Sequence, residues 1–288
     1  MFYVLPRFNY YRPNSLDEVL KLINELENYK ILAGGTDLLI DMRIKRYTPR
    51  NIVDINRINE LQYIREDNEY IRIGSLTRLQ DIIESNIIRE KLPLLYNAVY
   101  NMASWQIRNR ATIGGNLCNA SPAADTAPPL MVYNAKLVVS SINGSREISI
   151  LDFFKGPRET DLRNNELLVE IKIPKPHIHG YSYRKIGRRN AFTLSIVAIA
   201  TYVEIENNIF RDVRIALNSV APKPVRAWSV EEYLKNKRID REEIYKASEL
   251  VVKDISPISD VRASADYRRK LSIILIRETL FEASKITG

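Results

Sequence analysis

The chain has 288 residues, 45% hydrophobic and 27% charged, with a formal net charge of +8. That composition describes a globular protein large enough for two domains and excludes a disordered chain. Its basic residues are interleaved with 35 acidic ones, so no nucleic-acid site is expected. A single cysteine, Cys118, excludes an intrachain disulfide, an iron–sulfur cluster or a cysteine zinc site within this chain. No apolar run reaches the ~18 residues of a transmembrane helix. The opening Met1 to Arg7 lacks the features of a secretory signal, and the cytoplasm is the expected compartment.

In chain order, Ser15-Leu16-Asp17-Glu18 reads as a capping box, and Leu16, Val19, Leu20, Ile23 and Leu26 follow at helical spacing. Lys30 to Ala33 reads as a short buried strand running into Gly34-Gly35-Thr36-Asp37, and Asn51 to Ile55 as a second strand. From Leu61 the pattern changes. Tyr63 to Arg65 and Tyr70 to Gly74 predict a hairpin, and helices are predicted near 77–85 and 93–102. Lys136 to Val139 and Arg146 to Ile150 flank Asn143-Gly144, a strong hairpin signal. Leu167 to Ile173 is a further strand. The segment PKPHIHG (174–180) is the expected domain boundary. Beyond it, Tyr181 to Lys185, Ser195 to Glu206 and Ile209 to Leu217 suit an antiparallel meander. Helices follow from about residue 229, the last from Asp266 to Ser284. The class is mixed α+β.

Two glycine pairs stand out, in LAGGTDLL (32–39) and in ATIGGNLCNASPAADTAPPL (111–130). Paired glycines let backbone N–H groups approach an anion unobstructed, and they tolerate positive φ; an ordinary tight turn is the plainer reading of either pair. Together they could clamp a pyrophosphate from two sides, with Asp125 accepting hydrogen bonds from sugar hydroxyls. Neither G-x-G-x-x-G nor G-x-x-x-x-G-K-[ST] is present, so a nucleotide would be held by neither a Rossmann crevice nor a P-loop.

These two motifs occur in order with ELLVEIKIP, YRKIGRR, VAPKPVRA and DVRASADYRRKL, and the whole chain resembles the medium, FAD-binding subunit of the molybdenum hydroxylases. That group includes carbon monoxide dehydrogenase, xanthine dehydrogenase and aldehyde oxidoreductases. The resemblance implies a two-subdomain FAD-binding fold of the p-cresol methylhydroxylase type over residues 1–177, with subdomains of about 1–57 and 58–177. A C-terminal domain of a three-stranded antiparallel sheet plus helices would occupy 178–288. It implies that Leu32, Ala33, Gly34, Gly35, Thr36, Asp37 and Leu38 form one diphosphate loop and Thr112, Gly114, Gly115 and Asn116 the other. Asp125 would face flavin sugar or ribityl hydroxyls, and Leu168 would pack on the cofactor. Arg184 or Lys185 matches the basic position near the flavin ring, with Lys185 favoured. Met102 also aligns near the cofactor, although a helical methionine is more often core.

The activity so implied is electron transfer, with no catalytic residue and no metal in this chain. Substrate would be oxidised at a molybdenum cofactor in a large subunit. Electrons would pass through two [2Fe–2S] clusters in a small subunit to FAD here, then to an external acceptor. A heterotrimer, or a dimer of heterotrimers, is implied. An aldehyde oxidoreductase is favoured; a carbon monoxide or purine dehydrogenase and a flavin-free scaffold are the alternatives. His177-x-His179 reads as a solvated linker pair, Cys118 as a buried structural thiol, and the apolar and tyrosine positions of the last helix as core.

Overall fold

A computed structural model describes residues 4–177 and 180–285. The first unit is a parallel sheet of β1 (Asn9–Tyr11), β2 (Tyr29–Leu32) and β3 (Asn51–Asp54), in the order β1-β3-β2. The helix Leu16–Glu25 lies on it because Val19, Leu20 and Ile23 share one face. Ser15 Oγ accepts from Glu18 N at 3.3 Å, but the Glu18 carboxylate accepts from Asn14 N at 2.8 Å instead of Ser15 N. Only half of the predicted capping box therefore forms. β3 is buried throughout. β2, predicted as buried, is only half-buried, because it is an edge strand whose Tyr29, Lys30 and Ile31 face a cleft.

The second unit begins with β4 (Ile64–Glu66) and β5 (Tyr70–Gly74), the predicted hairpin. Then come β6 (Lys136–Ser141) and β7 (Gly144–Ser149), whose turn places Gly144 at φ +117°, open only to glycine without strain. After the short pair β8 (Phe154–Gly156) and β9 (Glu159–Thr160), β10 (Leu167–Pro174) completes an antiparallel sheet of order β4-β5-β10-β6-β7. Helices Leu79–Glu84, Asn86–Lys91, Pro93–Tyr100 and Ala127–Val132 bury Leu79, Ile82, Leu94, Leu95 and Leu130 in its core. The helix Asn86–Lys91 was not evident from sequence, since of its six residues only Ile88 is buried. The predicted 93–102 helix ends at Tyr100, so Met102 is not helical.

The last unit is the predicted meander of β11 (Gly180–Gly187), β12 (Ser195–Glu206) and β13 (Ile209–Asn218). β14 (Val225–Arg226) pairs with β13, making four strands rather than three; two residues are too short a run to show a period. Ala200, Tyr202 and Ala216 pack into the core of the second unit. Val197, Ile199, Val203, Ile215 and Leu217 face the other way, onto helices that include Ala265–Ser284. On that last helix Tyr267 and Ile274 are 49% and 47% exposed, contrary to the core assignment, while Arg268, Ser272 and Thr279 are buried. Among the described residues, no helix is long and apolar enough to cross a membrane.

Candidate functional site

A cleft of about 1350 Å³ is lined by the first unit, by the second, and by Lys185 and Phe192 to Leu194 of the third. It exceeds the ~300–1,000 Å³ of ordinary small-molecule pockets. Ala33, Gly34, Gly35, Thr36, Asp37, Leu38, Thr112, Gly114, Gly115, Asn116, Asp125, Leu168 and Lys185 all line it. Leu32 does not; it sits under the first loop, 3.0 Å from where a Cβ on Gly35 would lie.

The two glycine pairs are built differently. A Cβ on Gly34 would stand 2.2 Å from Arg110 O, so this glycine lets the first loop touch the chain that leads into the second. Gly35 adopts φ +74°. The N–H groups of Gly34, Gly35, Thr36 and Asp37 donate to no other residue among those described, which leaves four consecutive donors in a segment that lines the cleft.

In the second loop the donors are already used. Gly114 N donates to Ser75 O at 2.9 Å, Gly115 N to Thr112 Oγ1 at 3.1 Å, and Asn116 N to Thr112 O at 3.0 Å. Thr112 thus caps the helix Ile113–Cys118. Gly114 is required by packing, since a Cβ there would lie 2.7 Å from Ser75 O, whereas Gly115 is exposed. The second loop therefore offers a flat, side-chain-free surface and the Asn116 amide rather than a row of N–H groups.

Asp125 is almost fully buried, and its carboxylate is largely committed. Oδ2 accepts from Lys185 Nζ at 2.7 Å; Oδ1 accepts from Asn218 Nδ2 at 2.8 Å and from Ser195 Oγ. The resemblance implies an acid that faces sugar or ribityl hydroxyls; among the described residues Oδ2 keeps one acceptor position beside its bond to Lys185. Lys185 Nζ also donates to Asn101 O at 3.0 Å. Of the two basic candidates only Lys185 lines the cleft, because strand alternation turns Arg184 away to pair with Glu282. Next to Lys185 on the same face, the Tyr183 hydroxyl is shut from water without a partner among the described residues; burial and the nearby Asp125 charge push it well above its ordinary pKa.

Some lining residues escaped the sequence reading. Ser75 Oγ is buried in the cleft wall without a hydrogen-bond partner among the described residues. Arg158, at φ +64°, spans from Asp41 Oδ2 (2.7 Å) to Asn119 Oδ1 (3.0 Å). A glycine-serine step after a strand was the only available signal for Ser75, and Arg158 gave none. Met102 lines the cleft, as does Cys118, whose thiol burial pushes up to about 12. His177 is exposed, whereas His179 lies outside the described residues; among the described residues no group of His, Cys, Asp and Glu suits a metal.

The cleft can therefore hold a long ligand with an anionic middle: its lining combines four free N–H groups, a bare helix surface, the Ser75 hydroxyl, a buried ion pair and Phe192. An extended dinucleotide fits that donor set.

Two family models match the chain: the FAD binding domain in molybdopterin dehydrogenase over residues 6–176, and the CO dehydrogenase flavoprotein C-terminal domain over residues 181–283. The chain is 36% identical over 281 residues to the glyceraldehyde dehydrogenase medium chain of Sulfolobus acidocaldarius, covering 97% of this chain and 99% of that one. It is 35% identical over 285 residues to the xanthine dehydrogenase FAD-binding subunit of Escherichia coli O157:H7, covering 97% of each. Among solved structures, a chain of the carbon monoxide dehydrogenase of Hydrogenophaga pseudoflava superposes with a TM-score of 0.95 at 33% identity, covering 99% of this chain and 100% of that one.

Proposed function

The chain belongs to the FAD-binding medium subunits of the molybdenum hydroxylases, and from that premise we propose that it is the electron outlet of a three-subunit oxidoreductase. A large subunit would carry the molybdenum cofactor that oxidises substrate, and a small subunit two [2Fe–2S] clusters. Such an assembly would be a heterotrimer or a pair of heterotrimers in the cytoplasm. FAD, when bound, supplies the chemistry that accepts electrons from the clusters and passes them to an external carrier.

This chain's residues bind and orient. The four free N–H groups of Gly34 to Asp37 would take the diphosphate, and that row of donors is the observation that carries the reading. Leu38 continues that loop, and Thr112, Gly114, Gly115 and Asn116 form the opposing wall. Ser75 Oγ would give its unused hydrogen bond to the cofactor. Leu168 and the Phe192 loop would cover apolar parts of it, and Lys185 would stand near the redox-active ring.

An aldehyde is the substrate class we favour, supported by the likeness to a glyceraldehyde dehydrogenase medium chain. The test is purification from native cells, followed by a visible spectrum, identification of the released cofactor and of co-purifying chains, and an assay with aldehydes, purines and carbon monoxide. FAD with molybdenum and iron–sulfur subunits is expected. A colourless chain that refuses added FAD would replace this reading with a scaffold role.

A further inference from the structure

We propose that Asp125 is a positioning residue: its single carboxylate locks the C-terminal sheet onto the cleft and holds the Lys185 ammonium there with its charge offset. This rests on FAD being the ligand of the cleft.

The geometry is a convergence of one acceptor and three strands. Lys185 on β11 and Asn218 on β13 both pair in register with Ala198 of β12, so they lie in one row across the sheet; Ser195 begins β12. All three donate to Asp125. The loop that carries Asp125 is tied to the same sheet by Ser219 N donating to Pro122 O at 2.8 Å. It is tied to the second glycine pair by Thr126 Oγ1 donating to Asn116 Oδ1 at 2.6 Å. One short loop thus links the diphosphate wall to the C-terminal sheet, with Asp125 at the junction.

The charges matter because both side chains are largely shielded from solvent. The Lys185 and Asp125 side chains are 6% and 4% exposed, so their pair is poorly screened by solvent or salt. Among the described residues Lys185 uses two of its three N–H bonds, on Asp125 and Asn101 O, and one remains. An unbalanced ammonium beside a flavin favours the reduced, more negative form; the carboxylate at 2.7 Å cancels most of that bias.

The experiment is a redox titration of the flavin in the complete complex, for wild type, Asp125→Asn, Lys185→Met and the double variant. Asp125→Asn leaves the ammonium uncompensated and is expected to raise the reduced-to-oxidised ratio at fixed potential by about tenfold, an upward shift of about 30 mV for a two-electron couple. Lys185→Met leaves the carboxylate uncompensated and shifts the potential down. The double variant removes both charges and returns near wild type, and it retains flavin better than either single variant. If either single variant fails to assemble, the double variant compared with the surviving single carries the same test. Unchanged potentials in both singles would overturn the proposal. So would an Asp125→Asn effect of equal size with and without Lys185, or an equal loss of FAD in both backgrounds at unaltered potential; the latter would make Asp125 a direct sugar ligand. A wild-type complex without flavin would instead overturn the cofactor reading itself, and that measurement comes first.

Discussion

At the scale of single residues, the glycines separate packing from binding. Gly34 meets backbone, Arg110 O at 2.2 Å and Ala111 Cα at 2.8 Å, so an added methyl cannot be relieved by a rotamer change. Gly34→Ala is expected to destabilise by about 3 kcal/mol and to lower the visible flavin absorbance per chain. Gly144 has nothing within 4 Å of a Cβ but sits at φ +117°. Gly144→Ala should cost about 1 kcal/mol through backbone strain alone and leave flavin content unchanged. Thermal melts and spectra of the two variants decide this; equal flavin loss in both would mean that the first loop is no cofactor wall. Cys118 gives a pH argument. Burial raises its thiol pKa to about 12, which favours the protonated form throughout the neutral range. In the unfolded chain the thiol should ionise near its ordinary ~8.5. Iodoacetamide should therefore label the urea-unfolded chain faster as pH rises from 7 to 9, while labelling of the native chain stays slow. Mass spectrometry reads the outcome, and native labelling at the unfolded rate would contradict a shielded thiol.

At the scale of elements, β14 shows what a period-based reading misses. Its two residues matter through Arg226, whose Nε and Nη2 each reach Glu231 at 2.6 Å, and whose Nη1 reaches Met131 O at 3.3 Å in the other domain. Glu231 also accepts from Ile215 N at 2.7 Å, and burial raises its carboxyl above the ordinary value despite the guanidinium. Arg226→Ala strands a buried carboxylate and should cost about 3–5 kcal/mol in urea unfolding at pH 7. Since the acid is already raised in the folded state, protonating it relieves the penalty. The gap between variant and wild type should therefore narrow as pH falls toward 5, and a gap that widened would refute the assignment. The strands β5 to β7 and β10 to β13 were legible because each runs long enough for turn signals to bracket it, and the short β4 because the Asp67-Asn68 turn joins it to β5. The last helix was legible in extent but not in orientation. Its buried face carries Arg268, Ser272 and Thr279, which bond Ile196 O, Arg268 O and Ile276 O, so polarity no longer marks the solvent side.

At the scale of the whole molecule, motif order exposed the cleft walls, because glycine pairs mark backbone approach whatever the fold. What the sequence hid was the traffic between units: no local pattern tells that Asp125 answers to Lys185, Ser195 and Asn218, or that Ser75 stands beneath Gly114. That traffic makes a last prediction. β12 alternates between two cores, Ala200 and Tyr202 on one side and Val197, Ile199 and Val203 on the other. The boundary is crossed again by Arg226 to Met131 O, by Lys223 Nζ to Phe154 O at 2.9 Å and by the Asp125 cluster. Separating the two regions matched by family models would expose the Tyr202 face and strip Asp125 of every donor at once. Calorimetry of the flavin-free chain should then show one cooperative transition, with calorimetric and van't Hoff enthalpies equal. A chain stopped at residue 177 should not retain that transition. Two resolved transitions, or a stable 1–177 fragment that binds FAD, would mean that the C-terminal sheet rests on the cleft without completing it.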